Sequence, residues 1–446
     1  MKNNEIPTGW AQAATSDICQ FNPKTEIADE IICGFVPMQG LGTKFRARLM
    51  VEKRSWGEVK KAYTHFQTGD VLVAKVTPCF ENGKAGIASG LPNYIGAGSS
   101  EFCVFRPFAG IDPRYLLGWF STENFRQRAT VSMTGSVGLK RVPKDVFLSE
   151  KLPLAPLAEQ TRIADKLDTL LTRVDACRDR LARVAPLLKR FRQSVLAAAT
   201  SGRLTADWRT AGANGWRKIR LGELGELGRG KSKHRPRNDL RLFGGAYPFI
   251  QTGDVANSNG CIERHSQTYS EFGLLQSKLW PADTLCITIA ANIADTAVLS
   301  YPACFPDSVV GFVPDQSLCK VKYIKWSIDV LKDDIERLAP ATAQKNINLG
   351  ILDDVKINLP SIEEQTEIVR RVETLFAFAD RLEARLKTAQ TAADRLTPAL
   401  LAKAFRGELV PQDPNDEPAA ELLQRLAASR DAAPKAKRGR RSGATA

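Results

Sequence analysis

Leu154-Ala155-Pro156-Leu157-Ala158-Glu159-Gln160-Thr161-Arg162-Ile163 opens a stretch, running to Thr205, that the chain uses twice. Moving Leu154 onto Leu359 lays Leu154–Thr161 on Leu359-Pro360-Ser361-Ile362-Glu363-Glu364-Gln365-Thr366. The alignment then continues without a gap until Gly202-Arg203-Leu204 meets Gly407-Glu408-Leu409. An internal repeat of this kind takes precedence over any local feature. In the first copy apolar residues recur in steps of four and three: Ile163, Leu167, Leu170, Val174, Cys177, Leu181, Val184, Leu188, Phe191 and Val195. The second copy keeps the rhythm at Ile368, Val372, Leu375, Ala379, Leu382, Leu386, Ala389, Ala393, Leu396 and Leu400. Such spacing holds one apolar stripe of a helix against a partner helix. Two copies in one register therefore predict two rods packed on each other. At 1.5 Å per residue, Ile163–Val195 makes a rod about 50 Å long.

Local signals mark the rod ends. Ser361 with Glu364 forms a capping box, and Gly202 and Gly407 stand where each helix stops. Pro186 predicts a kink in the first rod, and Pro398 one near the end of the second.

The chain of 446 residues is long enough for several domains, and 43% hydrophobic with 25% charged residues describes a soluble, folded protein. Its net charge of +14 favours a polyanionic partner. Nine cysteines, none in a C-x-x-C pair, and three histidines compose neither a zinc site nor a disulfide framework. They read as buried thiols of a reducing cytoplasm, where the protein is expected to reside. The sequence shows no signal peptide and no apolar span of membrane length, so no membrane association is expected.

Residues 1–150 read as a mixed α/β domain. Phe66–Asp70 turns into a strand over Val71–Val76, Gly83–Ala88 and Phe102–Phe105 supply further strands, and Arg114–Ala129 is helical. A Gly-rich turn, Thr134–Gly138, precedes Leu139–Val142. Residues 213–356 replay this plan: Asp283–Thr288 stands where Asp70–Lys75 stood, Lys322-Tyr323-Ile324 echoes Arg114-Tyr115-Leu116, and Lys345-Asn346-Ile347 echoes Lys140-Arg141-Val142. The predicted class is α+β, two mixed α/β domains (1–150 and 213–356) alternating with two helical spacers (151–212 and 357–410). A tail over 411–446 holds a linker, a short helix over Ala419–Ser429, and a disordered basic end with Lys435, Lys437, Arg438, Arg440 and Arg441.

Catalytic signals are wanting. Gly225–Ser232 spells the phosphate-binding pattern G-x-x-x-x-G-K-[ST], but Lys233–Asp239 holds no apolar helical face and includes Pro236. Acid-x-Lys triplets at Asp354-Val355-Lys356 and Glu58-Val59-Lys60 are ordinary words in a charged sequence. Asn22-Pro23 continues with Lys24 instead of a second proline and an aromatic, so the base-holding loop of amino-methyltransferases is missing. No catalytic residue and no metal ligand is predicted. Each domain instead carries a basic cluster of the kind that phosphate and base-edge contacts need. The first has Lys44, Arg46, Arg48, Lys53, Arg54, Lys60 and Lys61, with Phe45 and Trp56 between them. In the second, Arg229, Lys231, Lys233, His234, Arg235 and Arg237 are the candidate contacts. Lys140 and Lys345, in corresponding loops, complete the predicted DNA-binding set.

The order of variable domain, P-x-x-E-Q-x-x-I helix, variable domain, P-x-x-E-Q-x-x-I helix resembles the specificity subunit of type I restriction-modification enzymes. Pro156–Ile163 and Ser361–Ile368 carry the resemblance, with the ending Ala404-Phe405-Arg406-Gly407-Glu408-Leu409 and the openings Pro7-Thr8-Gly9-Trp10 and Gly215-Trp216-Arg217. It implies that each variable domain is a target recognition domain for one half of a split double-stranded DNA sequence. It further implies that the rods pack as an antiparallel coiled coil whose length fixes the gap. A 50 Å rod would span about 15 base pairs at 3.4 Å each. Two modification subunits would supply adenine methylation with S-adenosylmethionine, and restriction subunits using ATP and Mg would complete the nuclease, this chain itself binding no cofactor. Two other readings fit the residues: the specificity arm of another restriction-modification type with a fused methylase-nuclease partner, or a coiled-coil scaffold binding DNA without sequence preference.

Overall fold

The computed structural model describes residues 6–43, 45, 47–136, 138–209, 215–290, 293–338 and 347–432. Three helices carry the duplicated stretches: α1, Leu157–Ala182; α2, Val184–Thr200; and α3, Ile362–Ala404. The first copy is broken at Arg183, whereas the second is continuous. Pro186 accounts for the break. Its missing N–H would have bonded the carbonyl of Ala182, and in the first turn of a new helix that donor has no partner to lose.

Pro398 lies inside α3, which runs on through it to Ala404. Its ring removes the bond to the Asp394 carbonyl four residues back. Arg178 of α1 takes over, donating from Nη2 to the carbonyls of Ala393 (3.1 Å) and Asp394 (3.2 Å) and from Nη1 to Thr397 Oγ1 (3.2 Å). The guanidinium also lies 3.2 Å from the Asp394 carboxylate. A side chain from the facing helix thus does what the proline cannot.

The chain forms two compact units, Met1–Ala182 with Thr388–Ala446, and Arg183–Lys387. In the first, α1 is antiparallel to the end of α3: Leu167 and Phe405 both sit against Gly118, and Arg178, further along α1, meets Ala393. In the second, α2 is antiparallel to the beginning of α3. Arg192 of α2 pairs with Asp380 (2.7 Å) and Glu383 (3.0 Å), and Thr205, beyond α2, reaches Glu364 in the first turn of α3.

Ile163, Leu167, Val174, Leu188, Ile368, Val372 and Leu386 of the predicted seam are buried. Leu181, Leu375 and Leu382 are half-buried. Leu170 is half-buried too, with Leu171 buried beside it, because α1 packs at once on α3 and on the first domain, which widens its apolar stripe. One seam assignment is corrected. Leu396 points outward, 45% exposed, while Ala393, Leu401 and Ala404 are buried. Val372, Ala379, Leu386 and Ala393 keep the seven-residue count and are all buried, so only the second position of the repeat turns outward here. Cys177 and Cys261 are also exposed, unlike the buried thiols expected.

The first domain is built on a four-stranded sheet in the order Cys19–Phe21, Phe102–Pro107, β1 (Val71–Ala74), Ala85–Ile87, beside a second sheet in the order Glu52–Ser55, Ile32–Val36, Ile95–Gly98, Thr64–Gln67. Every residue of β1 is buried. The helix expected over Arg114–Ala129 is two, Pro113–Phe120 and Glu123–Val131, with Thr122 Oγ1 accepting from the Phe125 N–H at the break (3.4 Å). A hairpin follows, β2 (Thr134–Ser136) paired with β3 (Leu139–Arg141). The second domain centres on β4 (Leu285–Thr288), which lies between Val309–Pro314 and Thr296–Leu299 in a five-stranded sheet. Gly225–Arg229, within the phosphate-loop pattern, is an edge strand of that sheet.

Each domain is fixed to its helix by matching contacts, which give the repeated Glu-Gln pair its physical role. Trp10 Nε1 donates to Glu159 Oε2 (2.9 Å), and Trp216 Nε1 to Glu364 Oε2 (3.1 Å). Gln160 accepts from the Asp112 N–H (3.0 Å) and donates to the Ala155 carbonyl (2.8 Å). Gln365 does the same with Lys320 (2.9 Å) and Pro360 (3.0 Å). The C-terminal helix, Ala419–Ala432, docks on the first domain: Leu422 and Leu426 are buried, and the Ala419 N–H donates to the Gly9 carbonyl (2.8 Å). The basic end over 433–446 lies outside the described residues.

Candidate nucleic-acid interface

In the first domain the chain leaves β1 at Lys75, and the residues that follow hold the hairpin. The Thr77 N–H donates to the Lys140 carbonyl (2.9 Å), the Lys140 N–H donates to Thr77 Oγ1 (3.0 Å), and that hydroxyl donates to the Gly138 carbonyl (3.2 Å). The Val142 N–H closes on the Lys75 carbonyl (2.8 Å). At the hairpin base Arg141 holds Glu101 by both oxygens, 2.7–3.1 Å. This guanidinium keeps the Glu101 carboxyl below the usual carboxylate range.

The same end of β1 receives two more segments. The Ala74 N–H donates to the Lys84 carbonyl (3.0 Å), and the Ala85 N–H to the Gly42 carbonyl (3.2 Å), which brings in the loop that ends with exposed Arg48. Lys75, Lys84, Arg48 and Lys140 thus gather at one end of the sheet. Lys75 and Lys84 each donate to one carbonyl, of Ser100 and Met38, at 2.9 Å. None of the four has an ion pair among the described residues. Lys75 and Lys84 were absent from the sequence-based set. The available signal was their position: each adjoins the end of a strand that pairs with its neighbour.

The other predicted residues of this cluster lie elsewhere. Lys53 and Arg54 belong to the strand Glu52–Ser55, where Arg54 pairs across the ladder with Cys33, near the start of Ile32–Val36. Met38 and Gly40 lie beyond the other end of that strand. Arg54 bonds Glu52 (2.7 Å) and covers the Phe35 ring at 3.8 Å, and Lys60 bonds Asp29 (2.6 Å). Lys53 and Lys61 are exposed. A cluster continuous in sequence is therefore divided by the reversal of the chain. Lys44 and Arg46 lie outside the described residues.

The second domain repeats the arrangement. The Gly230 N–H donates to the Val309 carbonyl (2.9 Å), and Val309 pairs with Thr288, the last residue of β4. The Ile347 N–H donates to the Ile289 carbonyl (3.1 Å) just beyond β4, as Val142 does to Lys75. Lys345 itself lies outside the described residues. Arg229 and Arg237 are engaged with Asp307, Arg229 at its carbonyl (2.7 Å) and Arg237 at its carboxylate (2.9 Å). Arg235 donates to the Ser232 and His234 carbonyls, 2.6 and 2.9 Å. His234 bonds Asp239 at 2.8 Å, a carboxylate that Arg241 holds well below its usual range. Lys231 and Lys233 are exposed and, among the described residues, have no ion pair. The arginines stiffen the loop and the lysines stand free of it.

Among the described residues no group of three or more His, Cys, Asp or Glu side chains could hold a metal ion, and no helix is long and apolar enough to cross a membrane. Two unlike sheet domains, each with cations gathered where its central strand ends and each fixed to a repeated helix, define a duplicated recognition protein. The model of the type I restriction modification DNA specificity domain matches residues 7–184 and 213–389, and the chain belongs to that family.

The specificity subunit of the type I restriction enzyme StySPI from Salmonella potsdam is 31% identical over 352 residues, covering 74% of each chain. That of EcoAI from Escherichia coli is 44% identical over 173 residues, which are 38% of this chain and 29% of the relative. The match to EcoAI thus spans less than a third of that protein. Among solved structures, the HsdS subunit from Thermoanaerobacter tengcongensis shares the fold with a TM-score of 0.64 at 20% identity, over 91% of this chain and 99% of that one. A chain from a study of complex assembly and conformational transition of the type I R-M system has a TM-score of 0.72 at 21% identity, with the same coverage.

Proposed function

We propose that this chain is the non-catalytic DNA-recognition subunit of a cytoplasmic type I restriction-modification complex, each domain reading one half of a split duplex target. The observation that carries the reading is the duplication of the cationic end in two domains whose remaining surfaces differ. Equivalent placement suits two halves of one duplex, and unlike surfaces suit two different half-sequences. Phosphate contacts from Lys75, Lys84, Arg48, Lys231 and Lys233 set the register; base edges in the grooves supply discrimination. Lys44, Arg46 and Lys345 belong to the same contact set by sequence position. Two modification subunits dock on the repeated helices, because a duplicated scaffold offers one surface twice to an identical partner. They hold S-adenosylmethionine and methylate adenine; restriction subunits, with ATP and Mg, cut.

The test is selection of bound duplexes from a random-sequence library by the complex of this chain with its modification subunits. Recognition by two separate domains predicts two short fixed blocks separated by a constant gap. Retention of all sequences alike, with affinity falling uniformly as salt rises, would mean a scaffold that binds only phosphates.

A further inference from the structure

The hairpin of β2 and β3 has no role in the core. Thr134, Gly135, Ser136, Leu139 and Lys140 are all exposed, and Leu139, 49% exposed, shows an apolar side chain to solvent. An isolated two-stranded ribbon is at best marginally stable in water. This one is held at its base by Thr77, by the closure of Val142 on Lys75, and by the Arg141–Glu101 pair. A firmly held base under a ribbon whose described residues from Thr134 to Lys140 are all exposed indicates that its surface meets something else.

The pairing sorts its side chains. Ser136 faces Leu139 and Thr134 faces Arg141 across the ladder, while Lys140 lies opposite Gly135. Gly135 has φ +129°, and a Cβ there would stand 2.6 Å from the Leu139 carbonyl oxygen. No side chain can occupy that place, so Lys140 has one face of the pair to itself. The other face offers a hydroxyl beside an apolar branch. Strands lie about 4.8 Å apart, and a two-stranded ribbon fits the major groove, roughly 12 Å wide. There a Lys can meet guanine O6 and N7, a Ser hydroxyl can serve either base edge, and an apolar branch can meet the thymine methyl. The cations at the same end, Lys75, Lys84 and Arg48, suit the phosphates on either side of a groove.

Resting on the DNA-recognition reading above, we propose that the β2–β3 ribbon enters the major groove and that Ser136, Leu139 and Lys140 determine the half-sequence read by the first domain. The test uses the full chain, co-produced with its modification subunits, in wild-type, S136A, L139A and K140Q forms, with methylated adenines mapped across the host genome and thermal unfolding measured beside it. Because these side chains are exposed, unfolding is expected to be unchanged. Discrimination at one or two positions of a single half-sequence is expected to fall roughly tenfold, the other half and the gap staying as they are. Unchanged motifs in all three variants would overturn the proposal. So would equal weakening of both halves, which marks a phosphate contact only, or weaker association with the modification subunits at an unchanged motif, which marks a protein contact. A wild-type complex without any split motif would instead overturn the recognition reading itself.

Discussion

Thr205→Val removes one hydroxyl from a fully buried place without altering shape. Thr205 is 0% exposed, and its Oγ1 donates to Glu364 Oε1 at 2.7 Å; Glu364 is 4% exposed and accepts Trp216 on its other oxygen. A hydrogen bond to a charged group contributes about 1.5–3 kcal/mol, and a buried acceptor left unpaired costs about as much. The Arg209 guanidinium, 3.6 Å from the same oxygen, softens the loss. The lower figure, about 1.5 kcal/mol, therefore applies. Hydrogen exchange followed by mass spectrometry on the segment from Thr200 to Arg209 should show roughly tenfold faster opening, with Thr205→Ser near wild type. Exchange within twofold of wild type in Thr205→Val would refute the reasoning. The first unit supplies the converse. The repeat places Val410 where Thr205 stands, and Glu159 Oε1 is buried without a hydrogen-bond partner. Val410→Thr should slow opening around Trp10 and Glu159.

Three further predictions concern the rods and the buried carboxyl. Arg178→Met takes from the Asp394 carbonyl, which Pro398 cannot pair, its side-chain donor and should speed exchange over 393–398 with a loss of about 0.5–1.5 kcal/mol; Arg178→Met combined with Pro398→Ala should recover most of it. Leu386→Ala should cost about 2–4 kcal/mol in denaturant unfolding, whereas Leu396→Gln should change it by less than about 0.5 kcal/mol. Burial holds the Glu159 carboxyl above its ordinary 4.5. Its contribution to stability is complete below that value and lost as pH rises through the higher folded pKa. Glu159→Gln should therefore be more stable than wild type near neutral pH, the difference closing below about pH 4.5, as followed by urea unfolding across pH.

The repeat was legible because a helix shows its periodicity in one dimension. Its phase was less so: Val372, Ala379, Leu386 and Ala393 keep the seven-residue count and are buried, but Leu396, which fits the same repeat, points outward while Leu401 and Ala404 are covered. Pro398 could not be judged from α3 alone, because Arg178, which satisfies the freed carbonyl, comes from the facing helix. The basic clusters show the same limit. Arg48 and Arg54 are neighbours in sequence, but the strand Ile32–Val36 lies between the loop of one and the ladder of the other. Lys75, Lys84 and Lys140 come together only through the pairing around β1 and Thr77. The hairpin's exposed Leu139 was hidden for a simpler reason: the sequence pattern of a strand does not say which strand has a core to cover.

The most direct test of the account exchanges the whole second domain. Residues 213–356 are replaced by the corresponding domain of a relative, the chain is co-produced with its modification subunits, and methylated adenines are mapped across the host genome. Independent reading by two domains predicts a split motif in which one half changes and the other half and the gap remain. A motif altered in both halves, or methylation without any motif, would contradict it.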